Sequence, residues 1–169
     1  MHQNQRDIKT DRLILRKLKN TDWEMISYLR SDKEINKFVS RPSAETKEKA
    51  LGFISDRQRD LENNKIYYWV ITEMGEDRMI GSICLWNFSK TRKTAEAGYD
   101  LAPSSQGNGF MNEALQGVAK FGFNELNLDC IEAYTHHDNS PSLSLLVKNG
   151  FKLIVDKKDL DHENNVIFE

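Results

Sequence analysis

The feature that most constrains the fold is a glycine-containing loop between a strand-like segment that ends at Leu101 and a helix-like segment. The loop and the first helical residues are Gln106, Gly107, Asn108, Gly109, Phe110 and Met111. Two glycines let the backbone turn tightly and approach a ligand, and the first N–H groups of the helix have no acceptor inside it. With the positive end of the helix dipole added, the loop is expected to bind a diphosphate. The alternative is that the glycines serve only to turn the chain.

Two common nucleotide-binding motifs do not fit this loop. A Walker-type loop needs a Lys followed by Ser or Thr, whereas residues 110–113 read Phe-Met-Asn-Glu. The dinucleotide-binding fingerprint needs a third glycine in register and strands that alternate with helices, and the strands before this loop are expected to be antiparallel. A nucleotide hydrolase and a Rossmann-type protein are therefore not favoured.

The composition is typical of one globular domain. The 169 residues are 38% hydrophobic and 30% charged, which is ordinary for a soluble protein that is long enough to bury a core. The formal net charge of -2 gives no bulk electrostatic reason to expect nucleic-acid binding. We therefore predict a single domain over residues 1–169, without a nucleic-acid partner.

The cysteines and the apolar runs bear on location. Cys84 and Cys130 lie in apolar strand-like runs without a CxxC spacing, which favours buried free thiols and a reducing cytoplasm. Nothing approaches the roughly 20 apolar residues of a membrane span, and residues 1–10 lack the apolar run of a signal peptide. We expect a cytoplasmic protein with no membrane partner and no metal site.

The hydrophobic periodicity predicts an α+β fold. Helices are predicted over residues 21–30, 43–61, 109–126 and 140–148, and a capping box at residues 31–34 predicts the start of a further short helix. Strands are predicted over residues 12–16, 67–72, 79–88, 94–101, 130–135, 151–155 and about 164–168. A helix between the strands at 94–101 and 130–135 indicates one parallel pair. The expected architecture is a mixed, mostly antiparallel central sheet with helices on both faces.

The order of several short motifs resembles the GNAT superfamily of N-acetyltransferases, and more closely its ribosomal-protein alanine acetyltransferase (RimJ/RimL-like) branch. The motifs lie at residues 10–16, 80–81, 95–99, 139–142 and 148–151. The resemblance covers nearly the whole chain. It implies an acetyl-CoA-dependent enzyme that moves an acetyl group to a primary amine by direct attack in a ternary complex. A noncatalytic acyl-CoA-binding or regulatory module is the alternative.

The resemblance also implies where acetyl-CoA binds. Gln106, Gly109 and Met111 match the defining positions of the superfamily's pyrophosphate-binding pattern, with Met111 where Gly or Ala is usual. The larger side chain either narrows the loop or points into the core. Asn139 matches a polar residue that contacts CoA, although an Asn before a helix also serves as a cap.

A splayed strand pair is the second implied part of the CoA site. The strand ending near Leu101 is expected to diverge from the strand at residues 131–135. Backbone groups of Tyr99, Asp100 and Leu101 would then pair with the pantetheine arm as an added strand does. A backbone N–H near Asp100 or Leu101 is the expected donor to the oxyanion.

Four residues are candidates for proton transfer. Glu96 is the first candidate base, with an amine anchor or a surface carboxylate as the alternatives. His136 or His137 is a second candidate, with a solvated turn histidine as the alternative role for each, and at most one of them enters the cleft because adjacent strand residues face opposite sides. Leu146 stands where many members of the superfamily have a Tyr acid, whereas Ser142 matches a serine of the ribosomal branch. Ser142 is therefore the candidate CoA contact and donor to the thiolate, with a helix-start role as the alternative.

The acceptor is constrained only coarsely. Glu96 and Asp100 favour a cationic amine, which is either a protein N-terminus or a small molecule. Five aromatic residues form either the walls of the acceptor site or part of the core: Trp23, Phe38, Tyr67, Trp69 and Trp86. A homodimer is common among similar proteins.

Overall fold

A seven-stranded sheet crosses the protein, and its strands follow one another in chain order. The computed structural model describes residues 5–169. The strands are β1 (Ile8–Lys9), β2 (Leu13–Lys17), β3 (Tyr67–Glu73), β4 (Gly81–Trp86), β5 (Thr94–Leu101), β6 (Cys130–His136) and β7 (Asn165–Phe168). Neighbouring strands are antiparallel except for β5 and β6, which are parallel.

Helices cover both faces of this sheet. They are α1 (Trp23–Ser31), α2 (Lys47–Glu62), α3 (Phe110–Asn124) and α4 (Ser140–Lys148). On one face α3 and α4 enclose an apolar core that includes Trp69, Val118 and Leu146. On the other face α1 and α2 enclose a second core that includes Val70 and Ile54. The central strands are therefore buried on both sides, and the predicted fold class is confirmed.

The connection between the parallel strands follows from local sequence. Helix α3 buries Ala114, Val118, Phe121 and Gly122, whose spacing forms one apolar stripe along the helix. This stripe packs on the sheet as the chain returns from the end of β5 to the start of β6. The strand that precedes the glycine loop and the strand that follows α3 are thereby neighbours.

Three predicted elements differ from the structure. No second helix starts at residues 31–34: Ser31 is the last residue of α1, and Asp32 Oδ1 accepts the backbone N–H groups of Glu34 and Ile35 and closes a turn. Helix α2 begins after Thr46 rather than Ser43, and the Thr46 side chain accepts the N–H of Lys49. The strand predicted over residues 151–155 is only a short stretch at residues 152–154 bonded to the chain's last residues.

The cysteines differ from the expectation of buried thiols. Cys84 and Cys130 are free thiols, but each is only partly buried. Within residues 5–169, none of the helices has the length and apolarity needed to cross a bilayer.

Candidate active site

A gap opens between β5 and β6. The two strands pair only where residues 94–97 meet residues 130–133. Beyond this point β6 pairs with β7, and β5 continues through Leu101 paired with β4 alone. The strands therefore diverge toward their carboxyl ends, and the predicted splayed pair is confirmed.

The hydrogen bonds of β5 show which backbone groups face the gap. Thr94 O accepts Ser89 N, and Ala102 N donates to Ile80 O, so the even-numbered residues of β5 direct their backbone toward β4. Because these directions alternate along a strand, the odd-numbered residues face β6 or the gap. Tyr99 and Leu101 therefore offer backbone groups to the gap. Asp100 does not, since its backbone is directed toward β4.

The glycine loop lies at the mouth of this gap. Gly107 and Gly109 have φ values of 81° and 76°, in the left-handed region that favours glycine. Gly109 is the N-cap of α3, and the first helical bond runs from Glu113 N to Gly109 O at 3.1 Å. The N–H groups of residues 109–112 precede that bond and remain available to a ligand. Gln106 donates its side-chain amide to Leu101 O at 3.0 Å, which links the loop to the end of β5.

Arg12, which directly precedes β2, binds the loop, and this role was not predicted from the sequence. The Arg12 guanidinium donates to Asn108 O at 2.8 Å and to Glu113 at 2.7 Å, and it lies 4.8 Å from the centre of the Phe110 ring. Burial opposes the charge on Glu113, but hydrogen bonds from Thr10 and Arg12 lower its pKa overall. Arg12 thus offsets a carboxylate that would otherwise repel an anion at the start of α3. The sequence feature that could have indicated this role of Arg12 is its place within the motif at residues 10–16.

Met111 and Asn139 flank the same opening. The Met111 side chain is half-buried and packs against the core under α3, which matches the second orientation expected for it. Asn139 is the N-cap of α4, and its Oδ1 accepts the N–H of Ser142 at 3.3 Å. Both residues also line the cavity described below.

A hydroxyl pair joins β5 to α4. Tyr99 OH lies 2.7 Å from Ser142 Oγ, and Ser142 is buried in the first turn of the helix. Burial raises the pKa of Tyr99 above its ordinary value, although the Ser142 hydrogen bond opposes this. The phenol is therefore protonated near neutral pH. Leu146, at the position of the superfamily's Tyr acid, is fully buried in the core.

Glu96 lies on the opposite face of β5, in a setting that disfavours its charge. Its neighbours across the sheet are Trp86 on β4 and Glu132 on β6. Burial raises the pKa of Glu96 to about 7; Asp159 and Glu132 add to the rise, whereas a hydrogen bond from Asn87 opposes it. A carboxyl group with this pKa can accept a proton near neutral pH.

His136 lies on the same face as Glu96, whereas His137 is exposed. The Nδ1 of His136 accepts the backbone N–H of Asp138 at 3.1 Å, and its ring lies 5.1 Å from the Phe38 ring. The two histidines and Asp138 place ligand-type atoms within 4.8 Å of one another. The two imidazole rings stack at 4.6 Å.

Asp100 is neutralised by a residue from the α1–α2 connection. Arg41 donates to Asp100 Oδ2 at 3.0 Å, and Ser82 donates to its other oxygen at 2.6 Å. Arg41 also donates to Leu29 O and to Asn36. The expectation that Asp100 adds negative charge for a cationic amine is therefore corrected, because Arg41 offsets that charge.

One cavity of about 2220 Å³ joins these parts. Its lining includes residues of the loop and the gap together with Glu96, Asp100, Asn139 and Ser142. Of the predicted aromatic wall residues, Phe38 and Trp86 border the cavity. Tyr67 and Trp69 are buried in the first core, and Trp23 packs against the second.

The comparisons with known proteins agree with this geometry. A family profile described as an acetyltransferase (GNAT) domain matches residues 12–152. The uncharacterized N-acetyltransferase YoaA of Bacillus subtilis (strain 168) is 31% identical over 145 residues, which cover 86% of this chain and 82% of the relative. The crystal structure of a GNAT-family acetyltransferase from Bacillus anthracis is 26% identical, with a TM-score of 0.81 and 96% of each chain covered.

A structure with bound CoA shares the fold. RimL, a ribosomal L7/L12 alpha-N-protein acetyltransferase in complex with coenzyme A, has a TM-score of 0.82 at 17% identity, with 96% of each chain covered. In the present protein, left-handed glycines, free first-turn N–H groups and an open strand edge meet at one cavity, and such donors fit a diphosphate and an extended amide-containing arm. This chain belongs to the GNAT acetyltransferase family.

Proposed function

We propose that this acetyltransferase transfers the acetyl group of acetyl-CoA to a primary amine by direct attack in a ternary complex. The observation that carries the proposal is a single cavity bordered by the glycine loop, the edge of β5 and Glu96. The cavity brings a diphosphate-type site and a titratable carboxyl group together. Acetyl transfer to an amine needs no covalent enzyme intermediate, only positioning, charge stabilisation and proton transfer.

The loop and β5 are proposed to hold acetyl-CoA. The N–H groups of residues 107–111 and the start of α3 bind the pyrophosphate, supported by the positive φ of both glycines. The backbone groups of Tyr99 and Leu101 pair with the pantetheine amides, since both face the gap. The N–H of Leu101 is the proposed oxyanion donor in preference to Asp100, whose backbone faces β4.

Glu96 is proposed as the general base. The amine nitrogen attacks the thioester carbonyl, the carbon–sulfur bond breaks, and an amide forms. Glu96 accepts the proton that the amine loses, directly or through one water, and its pKa of about 7 suits that task. The Nδ1 of His136 already accepts a backbone N–H, which leaves Glu96 the better candidate.

Ser142 is proposed to serve the departing thiolate. If Tyr99 donates its single proton to Ser142, the serine's own proton is free to be donated toward the sulfur. Solvent then supplies the net proton. Asn139 has one amide nitrogen left for CoA after capping α4.

The acceptor is proposed to be a protein N-terminus or a small-molecule amine. The structural neighbour RimL has a protein substrate in its name, which favours testing peptides first. A cytoplasmic location and a homodimer also stay proposals, the former supported by two unpaired thiols.

A thiol-release screen tests the proposal. Acetyl-CoA is incubated with the protein and a panel of peptide N-termini and small primary amines, and free CoA is measured. We expect release that depends on both the amine and the protein and that Glu96→Gln reduces strongly. If acetyl-CoA binds with normal affinity and no amine in the panel stimulates release, the noncatalytic acyl-CoA-binding alternative is favoured instead.

A further inference from the structure

The cavity has a second end between α1, α2 and the segment that joins them. Arg30, Phe53 and Arg57 line this end. The guanidinium carbon of Arg30 lies 4.2 Å from the centre of the Phe53 ring, and that of Arg57 lies 5.2 Å from it. We call these three residues the arginine arm. None of them was singled out as a functional residue from the sequence, and none takes part in the acetyl-transfer steps above.

Among residues 5–169, Arg30 has no anionic partner of the kind that its neighbours have. Arg41 pairs with Asp100 and Arg57 pairs with Asp60, both through nitrogen–oxygen contacts of 3.0 Å or less. For Arg30, the hydrogen bond seen in the described part of the chain goes from Nη2 to Pro42 O at 3.3 Å. A guanidinium has five N–H donors, so most of those of Arg30 remain for a ligand.

The charge on Arg30 is also poorly tolerated in the absence of an anion. Burial lowers the pKa of Arg30 to about 10, and the positive charges of Arg41 and Arg57 contribute to the shift. A half-buried cation beside other cations is stabilised when an anion binds among them. The lowered pKa of Arg30 agrees with the geometry, in which its guanidinium has no carboxylate partner within the part of the chain that the structure describes.

Arg57 supplies a second unsatisfied donor. Its Nε is buried and has no hydrogen-bond partner among residues 5–169. Because this nitrogen is inaccessible from the cavity, a ligand there would be bound by the terminal nitrogens of Arg57, of which Nη2 already pairs with Asp60. Two incompletely bonded guanidinium groups therefore lie around one aromatic ring.

We propose that the arginine arm binds an anionic group of the acceptor, a carboxylate or a phosphate, while the acceptor's amine lies at Glu96. This inference rests on the proposed acetyl transfer and narrows its substrate class to amines that carry a distant negative charge. Guanidinium groups bind both anions with paired hydrogen bonds. The Phe53 ring provides an apolar surface beside the charged group.

The sheet sets the length of such an acceptor. Arg30 interacts electrostatically with Asp100, which lies four residues beyond Glu96 on β5. Four residues of strand span roughly 13 Å. Arg57 interacts electrostatically with Cys84, whose partner Gly98 lies two residues, or roughly 7 Å, beyond Glu96. A free α-amino acid, with its amine and carboxylate on one carbon, is too short for either distance, whereas extended peptides of two to four residues span roughly 7–13 Å. The acceptor is accordingly an elongated molecule with its amine and its anion at opposite ends.

Matched pairs of acceptors test the arginine arm. One series consists of alanyl peptides of two to five residues, each with a free C-terminal carboxylate or a C-terminal amide. The other consists of aminoalkyl phosphates and the corresponding amino alcohols. We expect the charged member of the longer pairs to have a KM about tenfold lower than its neutral partner, with little advantage in the shortest pairs. The series with the larger advantage identifies the anion as carboxylate or phosphate.

Two variants locate the effect. Arg30→Gln should abolish the advantage of the charged acceptor and leave the KM of the neutral partner unchanged, and Arg57→Gln should reduce the advantage. Arg59→Gln is the control, because Arg59 is an exposed neighbour on α2 that pairs with Asp56 and does not line the cavity. Thermal unfolding of each variant checks that it is folded.

Binding measurements separate this inference from the proposed function. Calorimetry with CoA-loaded protein measures affinity for the same pairs without turnover. Tighter binding of charged members without thiol release would support the arm and contradict acetyl transfer to them. Thiol release with equal KM and equal affinity for charged and neutral members, or no binding of any charged member, would overturn the arginine arm.

Discussion

The hydroxyl oxygen of Tyr99 lies 2.7 Å from Ser142 Oγ, so β5 is linked to the first turn of α4 beside the open gap. This contact joins residues 43 positions apart in the chain. It fixes the rotamer of a serine that is nearly inaccessible to solvent. In the proposed mechanism the contact positions the serine proton for the thiolate.

Tyr99→Phe should lower kcat with little change in the KM for acetyl-CoA. A hydrogen bond contributes about 0.5–1.5 kcal/mol, so we expect a loss of roughly 2- to 12-fold. Ser142→Ala should lower kcat at least as much, and the double variant should be no worse than Ser142→Ala, since Tyr99 acts through the serine. Tyr28→Phe is the control, because that tyrosine is exposed. Additive losses in the double variant would contradict the link.

Glu96 should produce a limb near pH 7 in the pH dependence of kcat/KM. The carboxylate is the active form of a base, so activity should fall as pH drops through its pKa of about 7. Glu96→Gln should remove this limb and lower the rate by roughly a hundredfold. The limb from the acceptor amine should remain, because that amine must still be neutral. A Glu96→Gln profile parallel to that of the parent would exclude the base role.

Glu132→Gln should move the same limb to lower pH. The Glu132 carboxylate raises the pKa of Glu96, and Glu132 also holds Lys157, whose charge lowers that pKa. Removing the Glu132 charge removes the larger of these two effects, so ionised Glu96 is favoured even when Lys157 is released. The maximal rate should change far less than in Glu96→Gln. A limb that stays in place would show that another group titrates.

Ionisation of Glu96 should make the folded protein less stable as pH rises, whereas an ion-paired acid makes it less stable as pH falls. The pKa of Glu96 rises from the ordinary 4.5 to about 7 on folding, so the folded protein binds more protons than the unfolded chain between these values. Stability from this group is present below about pH 4.5 and declines as pH rises toward 7. Glu96→Gln should thus gain stability relative to the parent at pH 8 but not at pH 4. Thermal unfolding at both values measures the difference.

A buried ion pair at the start of α1 should dominate local stability. Arg16 donates to both oxygens of Asp22, at 2.9 and 2.8 Å, and both side chains are more than 90% buried. Asp22→Ala should cost about 3 kcal/mol in denaturant unfolding, because it leaves a buried guanidinium paired with the exposed carboxylate of Asp77. Glu34→Gln, which breaks a surface pair with Lys37, should cost less than 1 kcal/mol. Equal losses would contradict the burial argument.

Local patterns predicted the elements that build the site. The bounds of β5 and α4 follow from the turn-like residues 89–93 and from a Ser-Pro helix start at Ser140, and both agree with the structure. The predicted helix at residues 31–34 failed because the Asp32 carboxylate satisfies backbone donors in a turn instead. Helix propensity alone does not decide whether this segment forms a helix or a turn closed by the Asp32 side chain.

Contacts between distant residues were beyond the sequence. Arg41 neutralises Asp100 from 59 positions away, which the pattern around Asp100 does not reveal. The missing partner of Arg30 also depends on which carboxylates the fold brings near it. For Met111, the sequence left two orientations open, and packing against α3's core decides between them.

Titration with acetyl-CoA tests the central claim most directly. We expect saturable binding at one site per chain, and at least tenfold weaker binding for Gly109→Trp, because that glycine has positive φ at the loop's helix start. Gly75→Trp is the matched control, with positive φ in a turn that does not line the cavity. It should show similar strain and unchanged affinity. Unchanged affinity in folded Gly109→Trp, or no saturation with the parent protein, would contradict the account.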